Sequence, residues 1–192
     1  MNLPNKLTVL RIVLSFFFMF FIFSNGLMFK ALAFAVFTLA AITDFLDGYI
    51  ARKYNLITDL GKLLDPIADK ILVLTAFLAF VHMRIIAVWM VLIIIFRELL
   101  ITGIRMILAR KGRVIAASVW GKYKTVAQII SIFVILSFIV LKELGVNKYN
   151  FWDHRMETIS RTSINLLMYI TIILTLISGI TYLTANKNAF KS

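Results

Sequence analysis

The sequence predicts an all-α integral membrane protein of six transmembrane helices with an active site at the cytoplasmic face. Three observations predict it. Apolar residues make up 61% of the 192 residues and charged ones 16%, with a mean hydropathy of +0.94, far from the soluble norm. The apolar residues gather into six stretches close to the ~20 residues a spanning helix needs. The Lys and Arg between those stretches divide unevenly between the two sides they define.

The first span is expected over 7–23, after the polar start MNLPNK. A cleaved signal peptide is the rival reading, and Ser24-Asn25-Gly26 is a poor small-residue cleavage site for it. Arg11 lies one to two turns inside this span, where it either snorkels to the headgroups or touches a phosphate-bearing ligand. The second span, 31–50, carries Asp44 and Asp47 in its last two turns. A short polar connection over 52–62 leads to the third, 63–82, with Pro66 in its first turn, where a missing N–H is tolerated.

The fourth span, 85–106, holds Arg97, Glu98 and Arg105 within apolar sequence. Charges at such depth face a bundle interior or a wet cavity, and Glu98 is expected to pair with one of the two arginines. The fifth span, 118–141, opens with Lys122 and Lys124. A polar loop from Lys142 to Thr162, including His154, precedes the sixth, 163–184. His82 at a helix end and His154 in this loop read as interfacial, and the three Trp and six Tyr as interface anchors.

Counted over the connections, twelve Lys and Arg fall on the side of the N-terminus, among them Arg52, Arg110 and Lys124, against six on the other, among them Arg84, Lys142 and Arg161. That asymmetry puts both termini in the cytoplasm of a cell membrane. The net charge of +12 points, in such a chain, to anionic lipid and phosphate-bearing substrates rather than nucleic acid. With no Cys, disulfides, thiolate metal sites and a Cys nucleophile are excluded. Residues 1–192 read as one membrane domain without internal repeats.

The stretch that does not belong in hydrocarbon is 44–69. Asp44 and Asp47 stand at i, i+3 on one helix, with Gly48 and Ala51 continuing that face; Asp65 and Asp69 stand at i, i+4 on the next, with Gly61 a turn earlier. Four carboxylates converging from two helix ends repel one another unless cations sit between them. Oxygen-only donors suit a hard ion, and four of them suit two Mg²⁺ or Mn²⁺ ions bridging a phosphate or pyrophosphate. Small residues at Gly48, Ala51 and Gly61 allow close approach of a ligand or helix, and Arg52 offers a forked cation to a phosphate oxygen. Structural ion pairs at the helix ends are the plain alternative.

The spacing D-x2-D-G-x2-A-R-x8-G-x3-D-x3-D, from Asp44 to Asp69, resembles the signature of the CDP-alcohol phosphatidyltransferase family without a substitution. The resemblance implies that Asp44, Asp47, Asp65 and Asp69 bind two metal ions, that Asp69 is also the general base, and that Gly48, Ala51 and Arg52 help bind the cytidine diphosphate moiety. Thr8 and Arg11 of the first span join them as candidates. It also implies a homodimer in a bacterial plasma membrane.

Within the family, the strings NLPNKLTVLRI, FRELLITGIRMILARKG and ASVWGKYKT look like the members that join CDP-diacylglycerol to glycerol 3-phosphate and release CMP. The acceptor hydroxyl would attack the lipid-side phosphorus directly. Glycerol 3-phosphate is a dianion, which a pocket lined by Arg105, Arg110 and Lys122 would suit. Two other acceptors are compatible with the same chemistry: phosphatidylglycerol, as in a cardiolipin synthase, and inositol phosphate. A divalent-cation transporter is the reading from another class; polar residues are sparse in the spans, and the basic patch at the same face would repel a cation.

Overall fold

The computed structural model describes residues 3–54, 59–110, 119–147, 149 and 151–185, and of residues 3–8, 44–54, 59–69, 109, 110 and 147 the backbone only. Six helices account for nearly all of it: α1 Leu3–Phe23, α2 Leu27–Tyr54, α3 Asp59–His82, α4 Val88–Arg110, α5 Val119–Asn147 and α6 His154–Ala185. Among the described residues there is no strand, as the composition predicts. Among the described residues, two helices, α5 over Val119–Val146 and α6, are long and apolar enough to cross a membrane.

α1 packs against α2 and α3, α5 against α6 and α2, and α4 against α6. The core runs through all six, from Phe18 and Ile22 to Phe37, Phe77 and Phe80, then Ile94, Ile135 and Met168. Ala33, Ala40 and Ala76 are fully buried, and such small side chains bring helix backbones close without a hydrophobic drive from solvent. Aromatic rings fill the centre, with Phe37 edge-on to Phe133 at 5.5 Å and tilted against Phe18 at 5.8 Å. The outside is apolar as well: Phe16, Met28, Phe96 and Leu166 are each well over half exposed, an arrangement suited to lipid and not to water.

Hydroxyl groups line the α5–α6 seam. Ser131 and Thr171 are hydrogen-bonded at 2.8 Å, and Thr175 Oγ1 donates to the carbonyl of Thr171. Each is buried and satisfied, as a polar atom away from water must be.

Two turns and a clasp close one end. α3 stops in a Schellman arrangement: Ile85 N–H donates to Phe80 O and Arg84 N–H to Val81 O, with Arg84 left-handed at φ 56°. Gly26, at φ 103°, turns the chain from α1 into α2, and Lys30 Nζ donates to Ile22 O at 2.6 Å across that turn. At the start of α6, Glu157 accepts from Lys142 (2.9 Å), Trp152 Nε1 (3.0 Å) and Arg161 Nε (2.6 Å). Arg161 also reaches the carbonyl of Arg84, which joins α5, α6 and the α3–α4 turn.

Several helix ends differ from the sequence expectation. Helix α1 starts at Leu3, inside the supposed polar leader. The expected polar loop over 142–162 is largely helical, because α5 continues to Asn147 and α6 begins at His154. Asp153 caps α6, accepting the Met156 N–H at 2.7 Å, so His154 opens a helix and is not a loop residue. Pro66 lies two turns inside α3, which starts at Asp59, and not in its first turn. His82 does end α3, with its ring 5.0 Å from that of Phe23.

Candidate active site

The longer helices change the setting of the acidic stretch. α2 ends at Tyr54 and α3 begins at Asp59, so Asp47 lies about 10 Å and Asp65 about 9 Å from the adjoining helix end, at 1.5 Å per residue. Asp44 and Asp69 both lie about 15 Å from theirs. The four therefore fall at matching depths, in two pairs, on two helices joined by a short connection. The side chains of Asp44, Asp47, Asp65 and Asp69, and of Thr8, Gly48, Ala51, Arg52, Gly61 and Arg110, lie outside the described residues. Among the described residues no cluster of three His or acidic side chains could hold a metal. Carboxylate oxygens are the donor type that hard divalent ions prefer.

One turn and a half deeper than Asp65, the described side chains begin with Lys70, and here the structure is specific. Lys70 Nζ donates to Glu98 Oε2 at 2.9 Å, and Arg97 to Glu98 Oε1 at 3.2 Å. Lys124 of α5 is hydrogen-bonded to the same Oε1. The side chains of Glu98 and Lys124 are each 7% exposed. The second nitrogen of Arg97 donates to Ser178 Oγ on α6 at 2.6 Å. Gly179 makes room for that guanidinium's stem, since a Cβ there would stand 3.3 Å from Arg97 Cγ. One carboxylate thus binds three cations from three helices, and the network carries a surplus of two positive charges.

This corrects the basic patch. Lys124 is no surface determinant for anionic lipid: it is buried and paired, while Lys122, two residues earlier, is exposed. On a helix i and i+2 point to different sides. The expected pairing of Glu98 with an arginine holds for Arg97, with Lys70 and Lys124 added. Arg105 does not join it; it is exposed and lies over the Tyr182 ring at 5.6 Å. Lys122 is exposed as well, and the side chain of Arg110, the third member of the expected acceptor pocket, lies outside the described residues. Arg11 is 2% exposed, which rules out snorkelling to solvent.

The comparisons with known proteins agree with the motif. The family model for CDP-alcohol phosphatidyltransferase matches residues 1–185. A CDP-diacylglycerol–glycerol-3-phosphate 3-phosphatidyltransferase of Bacillus subtilis is 37% identical over 203 residues, covering 100% of this chain and 98% of its own. Proteins of the same name from Rickettsia bellii and Haemophilus influenzae are 38% and 33% identical, each over 98% of this chain and 97% and 95% of theirs. With its signature uninterrupted and its whole length matched, the chain belongs to the CDP-alcohol phosphatidyltransferase family.

Proposed function

We infer that the chain is an enzyme that transfers the phosphatidyl group of CDP-diacylglycerol to glycerol 3-phosphate, giving phosphatidylglycerophosphate and CMP. The observation that carries this is the unbroken signature from Asp44 to Asp69 in a chain similar over its full length to transferases named for that reaction.

In this reading all six helices cross a bacterial plasma membrane, with both termini and the 54–59 and 110–119 connections on the cytoplasmic side. The Lys and Arg excess at that side supports it, as does the apolar exterior of the bundle. Asp44, Asp47, Asp65 and Asp69 would hold two Mg²⁺ or Mn²⁺ ions. Bound there, such ions supply neutralising charge to a pyrophosphate. Gly48 and Ala51 leave room for the cytidine diphosphate against the α2 backbone, and Arg52 places a fork of donors on its phosphate oxygens. Thr8 and Arg11 complete that side from α1.

Asp69 accepts the proton of the acceptor hydroxyl as that oxygen attacks the lipid-side phosphorus, and CMP departs. Arg105, Arg110 and Lys122 hold the acceptor's phosphate, each as a separate cation at the same helix ends. A homodimer is the expected assembly. The cations Lys70, Arg97 and Lys124, the last of them buried, weigh against transport of a divalent cation through the same bundle.

The test is CMP release by the purified, detergent-solubilised protein given CDP-diacylglycerol and Mg²⁺, with glycerol 3-phosphate, inositol phosphate, serine or phosphatidylglycerol offered singly. Release with glycerol 3-phosphate alone, stopped by chelation and restored by Mg²⁺ or Mn²⁺, is the expected result. Release with a different acceptor, or undiminished release after chelation, would overturn the acceptor or the metal assignment respectively.

A further inference from the structure

The Glu98 network is larger than pairing one buried charge requires. A carboxylate needs one good cationic partner, and here it has three, from α3, α4 and α5, with Arg97 extending the tie to Ser178 on α6. Taking Lys124 wholly and Lys70 and Arg97 partly out of water costs desolvation that a purely stabilising contact would avoid; apolar side chains of the same size often hold helices as well. What the arrangement supplies instead is register: the rotation and height of α3 are fixed against three other helices at a single point. That point is Lys70, the residue after Asp69 in the same helical turn.

We propose that Glu98 is a positioning residue for the transfer, holding α3 through Lys70 so that Asp69 stands in its working place. The proposal rests on the role assigned above to Asp69. Glu98 itself is given no contact with substrate. Its action runs along a short path, from Glu98 Oε2 to Lys70 Nζ at 2.9 Å, then through one peptide of α3. A displacement of about 1 Å at a reacting group can cost on the order of 10²-fold in rate, and loss of an outer partner that orients a metal ligand costs about 10- to 100-fold in affinity or activity. Lys124 and Arg97 hold the carboxylate from the other side, so that Lys70 is drawn to a fixed anchor and not to a swinging one.

The test compares Glu98→Gln, Lys70→Met and the double variant in the full-length, detergent-solubilised protein. Steady-state CMP release gives kcat and the KM for CDP-diacylglycerol, and Mn²⁺ binding is followed by the loss of the free-ion EPR signal. Each single variant is expected to lose about 10- to 100-fold in kcat, with the donor KM within about threefold of the original. The double variant should lose little more than either single one, since both break the same path. Weaker Mn²⁺ binding in both variants supports the proposal independently of turnover. Near-normal kcat and Mn²⁺ affinity in Glu98→Gln would overturn it, as would losses that multiply in the double variant. If Glu98→Gln does not fold, normal kcat and Mn²⁺ affinity in Lys70→Met overturn the proposal alone. Should the starting protein release no CMP with glycerol 3-phosphate, that defeats the acceptor assignment, and the Mn²⁺ comparison still decides the role of Glu98.

Discussion

Replacing Glu98 by Gln leaves Lys70, Arg97 and Lys124 around a neutral amide in the interior of the bundle, whereas replacing Lys124 by Met leaves Glu98 still faced by Lys70 at 2.9 Å and Arg97 at 3.2 Å. The two changes remove opposite ends of one ion pair, and their costs should differ sharply. Taking the anion away strands the buried Lys124 and the partly buried Lys70 and Arg97, which costs about 3–5 kcal/mol when no counter-charge remains. Taking Lys124 away exchanges a buried ammonium for a thioether of similar length, relieves repulsion among three cations and leaves the carboxylate compensated; a loss of about 1–2 kcal/mol follows from the hydrogen bond alone. For a chain of this size 1 kcal/mol corresponds to about 2–4 °C in the unfolding midpoint. Glu98→Gln should thus fall by about 6–20 °C and Lys124→Met by about 2–8 °C, read by intrinsic fluorescence of the detergent-solubilised protein on heating. A Lys124→Met loss equal to or above that of Glu98→Gln would refute the description of Glu98 as the shared anchor.

Three further substitutions probe other parts of the bundle. Gly145→Ala would set a Cβ 2.8 Å from the Cβ of Trp152 and about 3 Å from the Phe151 ring; overpacking of about 1–3 kcal/mol should outweigh the better helix propensity, and an unchanged unfolding midpoint would count against the close approach. Arg84→Gly removes a left-handed non-glycine residue at the end of α3 while keeping the carbonyl that Arg161 binds. It should stabilise by about 0.5–1 kcal/mol after the entropy gained by the unfolded chain is subtracted, and a lower midpoint would contradict the Schellman assignment. Arg105→Ala should raise the acceptor KM by about 10-fold or more, the worth of a charge-assisted hydrogen bond, with the donor KM nearly unaltered; equal effects on both would remove Arg105 from the acceptor site.

Hydropathy announces the six helices because lipid and the bundle core select the same apolar residues. It misplaces their ends for the same reason: hydropathy reports where a side chain prefers to sit, not where the backbone stops being helical. Asp153 is the instructive case. Its carboxylate caps α6 three residues before Met156, a signal written in the chain but hidden inside a stretch polar enough to pass for a loop. The acidic signature was legible because its eight positions lie close together and carry a chemistry that few other arrangements need. The Glu98 anchor was legible by half. A carboxylate amid apolar sequence demands a cation, and Arg97 is adjacent. Lys70 and Lys124, 28 and 26 residues away, join it only because three helices cross there. Lys124 is the sharper lesson, since its i, i+2 spacing from Lys122 already says that both cannot share an exposed face.

The length of α6 has a consequence for the membrane that holds it. Thirty-two residues rise about 48 Å at 1.5 Å per residue, while a hydrocarbon core is about 30 Å thick. The surplus of about 18 Å matches the first dozen residues, where Arg155, Glu157 and Arg161 stand. An upright α6 would set the Glu157 clasp in the headgroup layer, and a bilayer thickened by longer acyl chains would draw Arg161 toward hydrocarbon before it reached Glu157. Chain length in the surrounding lipid would then bear directly on the contact between Arg161 and the carbonyl of Arg84.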